Sequence, residues 1–166
     1  RSQVEVHFYS AGGNIFGVEK YAKTLNKVIA RKHIKTHYKT NLIEIKAETK
    51  EAVFEHLDTG DTETVPYGMI HVTPPMGPPD FIKDSPLVDD SGWVDVDKYT
   101  LQHKKYEDIF ALGDASNLPT SKTGAAIRKQ APTVVNNLLS VMNQKPLTAK
   151  YNGYTSCPLV TGYGRL

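Results

Sequence analysis

Cys157 is the only cysteine among the 166 residues and lies in the segment YTSCPLVTG near the end of the chain. A free cysteine either packs as a small buried side chain or reacts through its thiolate. With no second cysteine in the sequence, an internal disulfide is excluded. Three interpretations stay open: a buried thiol, a reactive thiol, or half of a bridge to a cysteine outside these 166 residues.

A second group of polar residues lies in the segment GDASNLPTSKTGAA, which starts at Gly113. Asp114 follows the apolar run IFAL, which predicts a buried strand at residues 109–112. Ligands of α/β folds bind outside the carboxyl ends of the strands. A carboxylate there can accept hydrogen bonds from sugar-like hydroxyls, and Gly113, which lacks a Cβ, lets the backbone come close to a ligand. The alternative is that Asp114 bonds its own backbone in a turn.

Lys122 opens a helix predicted for residues 122 to about 142, at the end where the helix dipole disfavours a cation. We therefore expect the lysine to serve another group. The next residues, Thr123, Gly124 and Ala125, are small, so a flat ring could rest against the first turn. Free backbone N–H groups, the helix dipole and Lys122 would together stabilise negative charge on a bound cofactor.

Composition limits the classes of protein to which the chain can belong. With 39% hydrophobic and 23% charged residues it has the composition of a globular protein and can bury a core. A net charge of +2, with scattered basic residues, argues against a nucleic-acid partner. No apolar run approaches the roughly 20 residues of a membrane-spanning helix, so we expect this piece to be soluble. The six histidines show no ligand spacing apart from His33 and His37, so we predict no metal site.

The first part of the chain predicts a strand, a helix and a small antiparallel sheet. Residues 4–9 have a strand pattern, and apolar residues recur on one helical face from residue 17 to 30. The loop SAGGN between them lacks the G-x-G-x-x-G order of a dinucleotide site. Short alternating runs between turn residues then predict a β-meander, followed by a buried strand at residues 69–72.

Prolines predict where the regular structure of the remaining chain is interrupted. Residues 73–86 are too rich in proline for a helix or an interior strand, so they predict an extended connector. Pro132 lies inside the second predicted helix and predicts a kink or break near Ala131. The chain opens within a strand pattern and stops on GYGRL without closing an element, so we expect a fragment of a longer protein.

The segment YEDIFALGDASNLPTSKTGAA resembles the second flavin motif of two-dinucleotide-binding-domain flavoproteins, in which the Asp after the Gly binds the ribitol chain of FAD. In order along nearly the whole chain, FGVEKYAKTLNKVIARKHI, MIHVTPPMGPPD, GWVDVDKYTLQH and YNGYTSCPLVTGY resemble parts of sulfide:quinone oxidoreductases of mitochondria and some bacteria. That family belongs to the FAD-dependent pyridine nucleotide-disulfide oxidoreductases. The resemblance implies an α/β, Rossmann-like flavoprotein fragment with a small antiparallel β-meander.

The resemblance also implies a site and a reaction. Cys157 would be catalytic, forming a redox bridge beside the flavin with a cysteine earlier in the parent chain. FAD would be bound by five residues: Asp114, Lys122, Thr123, Gly124 and Ala125. Hydrosulfide would open the bridge and leave a persulfide. Two electrons would pass through FAD to a quinone, and the sulfane sulfur would leave on a small-molecule acceptor.

The resemblance further implies three regions. Residues 1–73 would be part of a middle, NAD-domain-like unit, residues 74–100 a proline-rich connector and return, and residues 101–166 part of the FAD-binding domain. The full-length protein would associate peripherally with the bacterial cytoplasmic or mitochondrial inner membrane, and the isolated fragment would be inactive. The alternatives are a fragment of a related NADH:quinone oxidoreductase, which needs no redox cysteine, or of a non-catalytic flavin-fold protein.

Overall fold

The computed structural model describes residues 4–164. The chain divides into two compact units. Of the described residues, one unit contains 4–73 together with 160–164, and the other is Pro74–Leu159. Within residues 4–164, no helix combines the length and the apolar composition that crossing a membrane requires.

The first unit begins with a β-α-β arrangement. Strand β1 (Val6–Ser10) and strand β2 (Ile34–Tyr38) pair in parallel, and helix α1 (Glu19–Lys32) connects them. The connection is a helix because two neighbouring parallel strands need a long crossover. The apolar stripe of α1 is half-buried at Ala22, Leu25, Val28 and Ile29.

A three-stranded antiparallel sheet follows. It contains β3 (Thr40–Lys46), β4 (Glu51–His56) and β5 (Thr62–Pro66) in the order β3-β4-β5, and central β4 supplies the buried side chains Ala52, Val53 and Phe54. The predicted β-meander is confirmed. The predicted buried strand at residues 69–72 is wrong, because these residues pair with no strand and Met69 is 88% exposed.

The second unit is held together by loops around a core instead of a continuous sheet. After the short helix α2 (Asp80–Lys83), isolated β-bridges join Val94 to Ser116 and Gln102 to Phe110. The predicted strand at residues 109–112 is therefore wrong as a strand, since only Phe110 forms a bridge. Six buried residues form the core: Val94, Val96, Leu101, Ala111, Leu118 and Tyr151.

Helix α3 (Gly124–Met142) closes the second unit and runs unbroken through Pro132. The predicted break near Ala131 is wrong. Pro132 and Arg128 are both exposed, so water can bond the carbonyl that proline leaves without a helical partner. The opposite face carries buried polar residues on both sides of the proline, and their tertiary contacts hold the two halves in line.

Candidate functional site

A single tight turn presents the predicted ligand-binding carboxylate. Gly113–Ala115 form one turn of 3-10 helix, and Gly113 has a φ of 64° that glycine adopts without strain. Its N–H donates to Oε1 of buried Gln130 on α3 at 2.8 Å. A Cβ on Gly113 would lie 3.1 Å from Cδ1 of Ile127. The glycine thus makes room for α3, a role that the sequence did not suggest.

Asp114 itself is free for another partner. Its carboxylate is exposed and has no hydrogen bond to any residue of the described range 4–164. The turn is closed by Ser116 instead, whose N–H and hydroxyl both donate to the carbonyl of Gly113. The alternative interpretation of Asp114, a carboxylate bonded to its own turn, therefore has no support.

The N-terminus of α3 lies beside this turn. The helix begins at Gly124, and Thr123 caps it by accepting the N–H of Ala126 at 3.2 Å. The N–H groups of Gly124 and Ala125 have no intrahelical acceptor, because the carbonyls four residues earlier lie before the helix, and they therefore remain available. A Cβ on Gly124 would meet nothing within 4 Å, and the first turn has no acidic residue. The helix end thus offers open space, free donors and a positive dipole.

Lys122 lies outside the helix, which corrects the prediction that it opens it. Its ammonium donates to the carbonyls of Asp114 at 3.1 Å and of Ser116 at 2.5 Å. It also lies 3.8 Å from the centre of the Trp93 ring, a cation–π contact. Burial lowers the pKa of Lys122, and the nearby Asp114 carboxylate opposes that shift. The group that uses the cation is thus the Asp114 turn itself.

Cys157 is an exposed free thiol on the segment that follows Tyr151. Two residues before it, the Thr155 hydroxyl lies 3.0 Å from that of Thr123 and 3.1 Å from the carbonyl of Ser121. Two extended residues span at most about 7 Å, so the Cα of Cys157 lies within that distance of the Cα of Thr155. Thr155 therefore ties the segment that carries the thiol to the α3 N-terminus.

The sequence-predicted residues thus surround one helix end. The proposed cofactor contacts lie in the turn, in the preceding loop or in the first helical turn: Asp114, Lys122, Thr123, Gly124 and Ala125. Sequence reasoning missed Trp93 and Thr155. Trp93 is the sole tryptophan, and this made it a candidate partner for Lys122, whose role the sequence left unexplained. Nothing in the pattern distinguishes Thr155 from other threonines.

Residues 4–164 contain no group of three or more His, Cys, Asp or Glu side chains arranged to hold a metal ion. His33 ends α1 in the left-handed conformation, and the His37 ring stacks on Tyr9 instead, with centroids 4.2 Å apart.

Curated relatives match the chain over its full length. It is 52% identical to the mitochondrial sulfide:quinone oxidoreductase of Mus musculus and 51% identical to that of Dictyostelium discoideum. Each alignment covers 100% of this chain, which spans 37% and 36% of those relatives. No protein-family model matches the sequence.

Solved structures share the fold. The sulfide:quinone oxidoreductase of Aquifex aeolicus gives a TM-score of 0.75 at 20% identity, over 88% of this chain and 37% of that one. A chain of the Tetrahymena thermophila mitochondrial ATP synthase assembly gives 0.82 at 30% identity, over 95% and 38%. The thioredoxin reductase of T. acidophilum gives 0.65 at 17% identity, over 84% and 45%.

The predicted fold class, an α/β fragment of the two-dinucleotide-binding-domain type, is confirmed by these likenesses and by the β-α-β and meander elements of the first unit. The full-length agreement with curated relatives is far stronger evidence of kinship than the shared fold alone. Over the segment it spans, little more than a third of its relatives' length, the chain belongs to the sulfide:quinone oxidoreductase family.

Proposed function

We propose that this chain is the part of a sulfide:quinone oxidoreductase that carries one redox cysteine and one side of the FAD site. The observation that carries the proposal is the hydrogen bonding of Thr155, which ties the segment that bears the exposed thiol of Cys157 to the residues at the N-terminus of α3. Identity to mitochondrial sulfide:quinone oxidoreductases over the full chain supports the same assignment.

The α3 N-terminus fits FAD. The exposed Asp114 carboxylate has no partner among residues 4–164, so it is available to hydroxyls of the ribitol chain. The open first turn, with the N–H groups of Gly124 and Ala125 and the cap of Thr123, suits the edge of a flat ring that gains negative charge on reduction. Bound FAD would supply two-electron acceptor chemistry at this place.

Lys122 would act on the cofactor through space. Its donors already serve two carbonyls of the Asp114 turn, so it would stabilise the backbone of that turn and add positive charge to the same region.

In the first unit the loop before α1 contains no phosphate-binding fingerprint, consistent with an electron donor other than a nicotinamide cofactor.

Cys157 would react by thiol–disulfide exchange. Hydrosulfide attacks one sulfur of the bridge between Cys157 and a cysteine elsewhere in the full-length protein. A sulfur–sulfur bond forms on one cysteine, giving a persulfide, and the other cysteine leaves as a thiolate. The electron pair is finally taken up by a quinone, which gains two protons, while the sulfane sulfur passes to a small-molecule acceptor and the bridge re-forms.

The quinone determines the location that we propose. Quinones dissolve in the lipid phase, so the full-length protein would bind peripherally to a membrane that contains them. The curated relatives are mitochondrial, which favours the inner membrane of that organelle, and a bacterial cytoplasmic membrane would provide the same substrate. The 166 residues alone would be inactive, because the partner cysteine is not among them.

The test is the electron donor. The full-length protein should reduce a soluble quinone when supplied with sulfide and a thiol acceptor, and should not do so when supplied with NADH. Reduction of the quinone by NADH and not by sulfide would contradict the proposal and favour the NADH:quinone oxidoreductase alternative. Inactivity with both donors in a protein that retains flavin would favour the non-catalytic alternative.

A further inference from the structure

Thr155 links the cysteine-bearing segment to the cap of α3 through an ordered chain of hydrogen bonds. The N–H of Ala126 donates to the Thr123 hydroxyl, which lies 3.0 Å from the Thr155 hydroxyl, and Thr155 donates to the carbonyl of Ser121. An N–H can only donate and a carbonyl can only accept. The direction of the whole chain is therefore fixed, with Thr123 donating to Thr155.

The residues before Thr155 are anchored independently. Buried Asn137 of α3 binds both the carbonyl and the N–H of Ala149, and the N–H of buried Tyr151 donates to the carbonyl of Tyr99. The Tyr151 hydroxyl then donates to the carbonyl of Tyr154. The backbone is thus anchored by hydrogen bonds as far as Tyr154, the residue that directly precedes Thr155.

Beyond Thr155 this anchoring stops. The next residues of the second unit, 156–159, form no hydrogen bond within the described part of the chain, and all of them are exposed. Thr155 is therefore the last fixed point before Cys157. Only one residue, Ser156, separates Cys157 from Thr155, whose hydroxyl touches the helix cap, so loss of this contact should change the position of the sulfur.

We propose that Thr155 is a positioning residue that holds Cys157 at the N-terminus of α3 in the geometry that the redox bridge requires. This inference rests on the proposed function, since it assigns Thr155 a part in the reaction of that bridge. Thr155 touches neither sulfur nor the flavin edge in this role. It acts through the backbone that it ties to Thr123 and Ser121.

The test compares four variants of the full-length protein. Thr155→Val keeps the shape and removes the hydroxyl, Thr155→Ala does so with less volume, and Thr155→Ser restores the hydroxyl. Thr148→Val is the matched control, because Thr148 is exposed, precedes the same segment and has no side-chain hydrogen bond within residues 4–164. Flavin content and melting temperature are measured on each variant to confirm that it is folded.

The first readout is the equilibrium of the Cys157 disulfide with glutathione, which measures how well the two sulfurs are held together without any turnover. We expect Thr155→Val and Thr155→Ala to weaken this equilibrium about tenfold, the factor that corresponds to about one lost hydrogen bond. The second readout is steady-state sulfide oxidation, where kcat should fall about tenfold and KM for quinone should not change. Thr155→Ser should recover both values to within about twofold.

Several outcomes would overturn the inference. It is wrong if folded Thr155→Val and Thr155→Ala keep the wild-type disulfide equilibrium, if Thr148→Val loses as much, or if Thr155→Ser recovers nothing. A wild-type protein that forms the disulfide yet does not oxidise sulfide would contradict only the proposed function. In that case the glutathione equilibrium still decides the role of Thr155.

Discussion

Helices α1 and α3 satisfy their ends in opposite ways. At α1 the cap residue Val18 contributes no side-chain hydrogen bond, but Glu19 lies in the first turn and Arg31 and Lys32 in the last. Acid at the start and base at the end complement the helix dipole. Helix α1 therefore compensates its dipole with its own charged side chains, although its N-cap lacks a side-chain acceptor.

Helix α3 has a side-chain cap but lacks charged residues that would compensate its dipole. Thr123 caps the helix, no acid lies in the first turn and no base in the last, so the positive end of the dipole is not compensated by the helix itself. A cation, Lys122, directly precedes the cap residue and is tied to a neighbouring turn. An end built in this way is suited to receive negative charge from a bound group.

The two helices also differ in what they bury. None of the residues of α1 is fully buried, whereas α3 buries polar side chains that form hydrogen bonds with the backbone of loops. Gln130 accepts the N–H of Gly113, and Asn137 bonds Thr100 and Ala149. Helix α1 is thus a covering element of its unit, while α3 is a frame that positions two segments of the candidate site, the Asp114 turn and the Cys157 segment.

The strongest test of the α3 end is removal of the thiol. Cys157→Ser in the full-length protein should abolish sulfide-dependent quinone reduction, because no bridge remains for hydrosulfide to open. Flavin content should stay normal, since Asp114 and the helix end are unchanged. The neighbouring exposed Ser156→Ala is the control and should retain activity. Normal turnover of Cys157→Ser would show that the thiol has no role in the reaction.

The next effect concerns the cation. Lys122→Met removes one of several positive contributions near the α3 end and frees the Asp114 turn, so sulfide oxidation should fall on the order of 10²-fold without vanishing. Lys20→Met makes the same change in the first turn of α1 and should leave the rate unaffected. An equal loss in both variants would contradict the difference between the two helix ends.

One asparagine in each helix allows the contributions of α3 and α1 to stability to be compared. Asn137 is fully buried and its amide makes three hydrogen bonds, so Asn137→Ala should lower the free energy of unfolding by about 2–3 kcal/mol. Asn26 of α1 is exposed, and Asn26→Ala should be neutral or stabilise by about 0.5 kcal/mol through helix propensity. Urea denaturation followed by circular dichroism measures both. Similar values would mean that α3 does not act as a frame.

The smallest effect is a gain at the uncapped end. Val18→Asp should supply the side-chain acceptor that α1 lacks and place an acid near its dipole, raising the free energy of unfolding by about 0.5–1 kcal/mol. Thr123→Val should cost about 1 kcal/mol at α3. Differential scanning calorimetry of the two variants would reveal the opposite signs. A loss of stability in Val18→Asp would show that a side-chain acceptor at the N-cap does not stabilise α1.

Much of this contrast was visible in the sequence. The apolar period located α1 and α3 to within about two residues at each end, because one-sided burial imposes that period directly. The break expected at Pro132 did not occur, since the inner-face contacts of Gln130 and Asn137 are tertiary and leave no local pattern. A break also requires that the freed carbonyl go unsatisfied, and exposure removes that condition.

The strands of the second unit could not be predicted in the same way. The run at residues 109–112 has a strand composition, yet a strand is defined by its partner, and within residues 4–164 this run makes a single bridge. The partners of Lys122 were hidden for a related reason. They are two backbone carbonyls and a ring 29 positions upstream, and backbone atoms carry no sequence signature.

The contact between Lys122 and Trp93 gives this segment an intrinsic optical reporter. Trp93 is the sole indole of the 166 residues, and the ammonium lies 3.8 Å from its centre, so the positive charge perturbs the excited state of that ring. Fluorescence from Trp93 therefore responds to the position of the lysine. Any event that pulls the ammonium from the Asp114 turn should change the emission wavelength before the fold itself is disturbed.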